Sequence, residues 1–338
     1  MYAIEDPVVA SQPRLGLSER VAQTVLRNER DFDFLVVLTT ASVFLLPIAV
    51  VMFALPNPPW WLGVIHLVVM LNILDRFILM NHNMIHYPVF KKEYKWINTY
   101  TEWVLMPLFG MTPRTYFAHH IGMHHPENNG VLDASSTMRF QRDNPFHFLR
   151  YLTRFYFISI FDVARYMMKK NRTKLTRQML TGELSIYALF AVTLYFKPIA
   201  ALFVLVLPFV ITRFLMMAGN WGQHAFIDTA DPLNAYKNAI TCINTRYNRR
   251  AFNDGYHIAH HLYPRMHWTE MPQELERNRK RYEEEGAIIF EKIDFFIVWL
   301  FLMLHRYDWL AKFCVSHQGD KEEVIAFLKT RLTPIRES

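Results

Sequence analysis

Fifteen of the 338 residues are histidine, and ten of those fifteen fall in four short stretches. These read "HNMIH" (His82, His86), "HHIGMHH" (His119, His120, His124, His125), "NWGQH" (Asn220, His224) and "HIAHH" (His257, His260, His261). Each holds a pair four residues apart: 82/86, 120/124, 220/224 and 257/261. On a helix such a pair shares one face, so each pair can offer two ligands to one point. A single pair of this kind is weak evidence. Four of them point to metal binding, because imidazole suits Fe, Cu, Ni and Zn.

The ligand count narrows the chemistry. His82, His86, His120, His124, His125, His224, His257, His260 and His261 are the candidate ligands. One tetrahedral zinc needs only four ligands. Haem takes one or two axial protein ligands. Two metals of higher coordination number fit the set, with Asn220 holding a water on one of them. His119 precedes the frame that starts at His120 and is expected behind the ligands, orienting them. Asp228 and Asp254 lie near ligand motifs, where a carboxylate can orient imidazoles; helix capping or surface exposure explains them equally well. His66, His147, His267, His305 and His317 have no patterned partner and are read as ordinary buried or surface histidines.

Something must carry these residues. The chain is 52% hydrophobic, which excludes disorder. Its net charge is +7, but no zinc-finger, RNP or helix-turn-helix signature accompanies that charge, so nucleic acid is not an expected partner. Apolar and basic together indicate a membrane protein with basic loops. The uncharged run 34–55 is long enough to span a bilayer. After "PNPP" comes a second run, 60–80, opened by Trp60 and Trp61 in the manner of an interfacial aromatic belt. Further spans are expected at 183–196 and 198–218, split by "KP". The four make two hairpins. The fold class is an all-α integral membrane protein, one domain over 1–338, with a cytosolic helical cap formed by 81–182 and 219–338.

The turns at 56–59 and 197–198 hold one basic residue, Lys197, and nearly all the others lie elsewhere. The positive-inside rule therefore puts both termini and all four histidine stretches on the cytosolic side. No cleavable signal peptide is evident, and the first apolar run is expected to act as an uncleaved anchor. Cys242 and Cys314 form no disulfide framework, which fits a reducing compartment. Residues 146–170 and 292–309 mix aromatics with basic residues and read either as interfacial helices or as core helices of the cap.

The set H-x-x-x-H, H-x-x-x-H-H, N-x-x-x-H and H-x-x-H-H on two membrane hairpins resembles the membrane fatty acid desaturase and hydroxylase superfamily, over about residues 34–310. The resemblance implies a non-haem di-iron centre, O2 as co-substrate and electrons from a separate protein of ferredoxin or cytochrome b5 type. It implies a fatty acid or acyl-lipid substrate in a membrane setting, and desaturation as the reaction. Asn83 stands where many desaturases have Asp, and three residues separate His82 from His86, as in acyl-lipid desaturases and alkane hydroxylases. Alkane or fatty acid hydroxylation and decarboxylation to a terminal alkene remain open on this scaffold. A zinc-dependent membrane hydrolase or receptor is the alternative of another class. Arg246, Arg249 and Arg250, just before the last box, are candidates for holding a substrate carboxylate or phosphate headgroup; attraction to anionic lipid is the competing explanation.

Overall fold

Four helices are long and apolar enough to cross a membrane: Glu29–Ala54, Trp60–His86, Thr173–Phe196 and Pro198–Gln223. The computed structural model describes residues 2–7 and 16–335. Of the termini expected on the cytosolic side, Met1 and residues 336–338 fall outside that range. Each of the four helices extends beyond the apolar run that announced it. The second passes residue 80 and ends at His86, because Asn81 and Asn83 turn their amides onto the carbonyls of Phe77 and Leu79, both at 2.8 Å. It stops two residues before Pro88, where the chain turns extended at Tyr87. Asp75 and Arg76 are therefore mid-helix. The third begins at Thr173, so the short arm expected from residue 183 is a helix of 24 residues.

The chain forms two compact units. One comprises 9–118 and 170–214 and contains most of the four long helices. Its surface is apolar: Val43, Phe44, Val50, Val68, Leu184 and Val192 are exposed, while Thr101, Thr112, Glu183 and Thr212 are buried. Water would penalise that arrangement and lipid favours it. Glu183 accepts a hydrogen bond from the Thr112 hydroxyl at 2.6 Å and pairs with Arg213 at 3.2 Å, as a charge within a membrane segment requires. Gly182, next to it, lets the helix approach the backbone of Pro113; a Cβ there would lie 1.9 Å from the Pro113 carbonyl oxygen.

The other unit comprises 1–8, 119–169 and 215–338. Its core includes one feature absent from the all-α expectation, a parallel pair of strands, β1 (Ile240–Ile243) and β2 (Ile288–Glu291), with Ile240 opposite Ile288. Both runs are rich in β-branched residues, but four residues are too few to display a period. The Phe295–Met303 helix buries Phe295, Val298 and Leu302 in this core, which decides that stretch as a core helix. The helices Pro145–Phe157 and Ser159–Lys169 divide their apolar residues. Phe148, Tyr151, Val163 and Met167 are buried, while Phe146, Leu149, Phe157 and Phe161 are exposed.

The helices share an irregularity. Among the described residues, π-helical turns occur at Ala41–Leu45, Thr101–Leu105, His120–His124 and Leu202–Val206. Each ends two residues before a proline: Pro47, Pro107, Pro126 and Pro208. Proline has no N–H to donate and clashes with the carbonyl four residues back. A wider turn just before it relieves both problems by inserting one residue into the hydrogen-bond ladder.

Candidate metal centre

His82 and His86 occupy the last turns of the Trp60–His86 helix, their rings 5.1 Å apart, with Tyr116 6.3 Å from His82. Their ligand nitrogens lie within 4.8 Å of each other. The i, i+4 spacing expected for this box is the spacing found.

The second box departs from its expected geometry. His120 and His124 do not serve one point. In the π turn the His125 N–H bonds to the His120 carbonyl, so residues five apart come into line. His125 Nε2 lies 3.0 Å from His120 Nε2 and 3.0 Å from His260 Nε2. His124 turns the other way and joins His224, His257 and His261, whose ligand atoms lie within 4.8 Å of one another. In this second group His224 and His257 approach to 3.1 Å and His257 and His261 to 3.0 Å, Nε2 to Nε2. The adjacent histidines therefore separate: His125 and His260 go to one group, His124 and His261 to the other.

This donor set fits a cation. Metal–imidazole bonds of about 2.1 Å bring neighbouring donor nitrogens to roughly 3.0–3.4 Å from one another. The spacings of 3.0–3.1 Å fall in that range. The ring atoms behind the donors agree. His124 Nδ1 lies 2.6 Å from a carboxylate oxygen of Asp133, and His224 Nδ1 lies 2.9 Å from the Asn238 carbonyl. Both partners only accept, so Nδ1 carries the proton in each ring and Nε2 presents its lone pair to the group. Burial, with His124 beside it, pushes His224 down to about 3. Burial and then the neighbouring His257, His224 and His124 hold His261 well below the usual imidazole range. Both shifts keep His224 and His261 neutral, the form that binds metal.

Asp133 is the residue that sequence spacing missed. It is fully buried and its carboxylate is saturated. One oxygen takes His124; the other takes His119 Nε2 at 3.2 Å and both the N–H and the hydroxyl of Ser135 at 2.9 Å. Burial works to raise this carboxyl, but His124 and His119 outweigh it and hold it well below the carboxylate range. His119 thus meets the carboxylate that also holds His124. Asp133 lies in the loop "NNGVLDASST", where nothing in its spacing marks it. Thr137, in the same loop, donates to the His224 carbonyl at 2.6 Å.

The other candidates have different occupations. Asp228 forms an ion pair with Arg331 at 2.8 Å and caps a turn at Ala230. Asp254 accepts from the Tyr247 hydroxyl at 2.9 Å and from Gln223 at 3.3 Å. The Asn220 amide donates to the Ser135 carbonyl at 2.9 Å and to the Tyr151 hydroxyl at 2.8 Å, which binds it to the loop of Asp133. Arg246, Arg249 and Arg250 are exposed on a short helix, Arg246–Arg250. His267 caps the turn at Thr269, His147 accepts from the Gln141 N–H at 2.8 Å, His305 bonds the Asp143 carbonyl at 2.8 Å, and His317 stacks on Phe327. His66 is buried mid-helix.

No curated protein and no solved structure matches the chain. The sequence profile of one family, fatty acid desaturase, matches residues 58–293, a stretch that holds every candidate histidine ligand. Over that length, with four membrane-length helices and imidazoles gathered for metal, the chain belongs to the fatty acid desaturase family.

Proposed function

We propose that the protein is an O2-dependent di-iron oxidoreductase acting on the alkyl chain of a fatty acid or fatty acyl lipid, and that it desaturates that chain. The carrying observation is the sorting of adjacent histidines into two groups whose ring nitrogens approach to 3.0 Å. Nine candidate histidines are more ligands than the single tetrahedral zinc of a hydrolase needs. In this reading His82 and His86 are metal ligands as well, and Asn220 holds a water on one metal.

When bound, two irons would supply, with O2, the oxidising power to break an unactivated C–H bond, which no side chain can do. The chain's residues do the rest. His124 and His224 are locked as Nδ1–H tautomers by Asp133 and Asn238, so their Nε2 atoms face the centre without rearrangement. Burial of His120, His124, His224, His257 and His260 keeps bulk water from the centre. Arg246, Arg249 and Arg250 attract anionic headgroups at the membrane surface. Two helical hairpins carry a cytosolic cap, and an acidic electron-transfer protein of ferredoxin or cytochrome b5 type meets the basic cytosolic face.

The test is product analysis by mass spectrometry with isotopically labelled fatty acids, O2 and a reducing system. A new double bond, dependent on O2 and iron, is expected. An alcohol, or loss of CO2 with a terminal alkene, would redirect the reaction on the same centre. Turnover under anaerobic conditions with zinc alone would sink the oxidative reading.

A further inference from the structure

The last stretch, "HIAHH", the third box counting only those with two or more histidines, stands on a helix, His257–Leu262, that cannot fix its own direction. It is six residues long, too short to be stable alone, and no side chain caps its N-terminus. The loop leading into it is strained: Phe252 and Asn253 have φ of 53° and 52°, left-handed values that a phenylalanine rarely adopts. Outside contacts must therefore set the orientation of His257, His260 and His261.

They come from the opposite end of the chain. Asp6 is buried, and one of its carboxylate oxygens accepts three hydrogen bonds: from the Asn244 N–H at 2.6 Å, the Asn248 side-chain amide at 2.8 Å and the Tyr256 hydroxyl at 2.8 Å. Tyr256 immediately precedes His257, and its carbonyl accepts the His260 N–H at 3.0 Å, the helix's first hydrogen bond. Asn248 passes the contact on, accepting the Gly255 N–H at 2.9 Å. Asn244 grips the segment from both sides, taking the Glu5 N–H and donating to the Ala3 carbonyl, each at 2.7 Å. Every donor on Asp6 belongs to the walls of the box.

We propose that residues 2–7 form a clamp on the third histidine box, with Asp6 as its positioning residue, holding His257, His260 and His261 in the orientation metal binding requires. The proposal rests on the reading of those histidines as ligands. Asp6 touches no ligand itself. It acts through Tyr256 and Asn248.

Cobalt(II) serves as the probe in the full-length chain, because its visible absorption reports ligand geometry. Asp6→Ala, Tyr256→Phe and the double variant are titrated with Co2+ to equilibrium, with helix content followed by circular dichroism. Asp6→Ala is expected to weaken Co2+ binding about tenfold and to change the ligand-field bands at unchanged helix content. Tyr256→Phe is expected to weaken it less, and the double variant to be no worse than Asp6→Ala, since both remove one interaction. Wild-type affinity and spectrum in Asp6→Ala, or additive losses in the double variant, would overturn the clamp. Should Asp6→Ala fail to fold, Tyr256→Phe decides alone, and an unaltered affinity and spectrum there overturns it. His261→Ala is the control for the underlying reading: full Co2+ binding in that variant refutes the metal assignment rather than the clamp.

Discussion

At Asp133 a single carboxylate serves two imidazoles, and its replacement separates orientation from ligation. Asp133→Asn keeps the volume but lets an amide N–H face His124 Nδ1, which reverses the favoured tautomer. Metal affinity is expected to fall about 10- to 100-fold, measured by equilibrium titration, with the fold intact. A second expectation concerns protons. In the unfolded chain His224 titrates near 6.5, but in the folded, metal-free protein only near about 3. Between those values the unfolded state binds a proton that the folded state refuses, so stability falls as pH falls through that window. Thermal unfolding of the chelated protein between pH 7 and pH 5 should show the midpoint dropping with acidity. A midpoint independent of pH would show that His224 is not held neutral by burial. The candidate ligands were legible because their types and spacing repeat. Asp133 was not: its role comes from a loop folding back onto His124, and no local period encodes that.

On the scale of the helix, Pro126 accounts for how the second box is shared. Without a wider turn before it, His120 and His124 would face one way, as their spacing predicts. With that turn, His120 aligns with His125, and His124 is released to the other group. His124→Ala and His125→Ala should therefore weaken different metals, each variant retaining about half the bound iron by elemental analysis. A total loss in one and none in the other would argue against the division. Pro126→Ala removes the reason for the turn and is expected to lower occupancy in both groups. The same reasoning marks what the sequence could tell about elements. Hydropathy located four helices, but their polar ends, the start at Thr173 and the continuation to His86, belong to helical geometry and side-chain capping rather than to apolarity. Prolines after helical runs were visible, and π turns are their physical consequence. The strands β1 and β2 are too short to have declared themselves.

For the molecule as a whole, the long helices expose apolar side chains and bury polar ones such as Thr101, Thr112, Glu183 and Thr212 among their apolar core, which suits a bilayer. Its sidedness is open to direct measurement. Both cysteines are buried, so new ones can be read against a quiet background. Asn57→Cys, in the exposed turn between the first two long helices, is expected to react with an impermeant thiol reagent added to intact cells. Lys280→Cys, on the other unit, should react only after permeabilisation. The reverse pattern would invert the topology. Gly182→Leu should destabilise the fold by about 1–3 kcal/mol or more, because its side chain would enter the Pro113 backbone. The clamp at residues 2–7 also orders events in time. Its bonds to Asn244 and Tyr256 join positions 239 and 250 residues apart. Residues 2–7 must therefore wait until about 240 further residues have been made before they find their partners. Closure of the third box is thus a late step of biosynthesis, and a nascent chain stalled before residue 244 would carry its second box while the amino-terminal segment still lacked a place to dock.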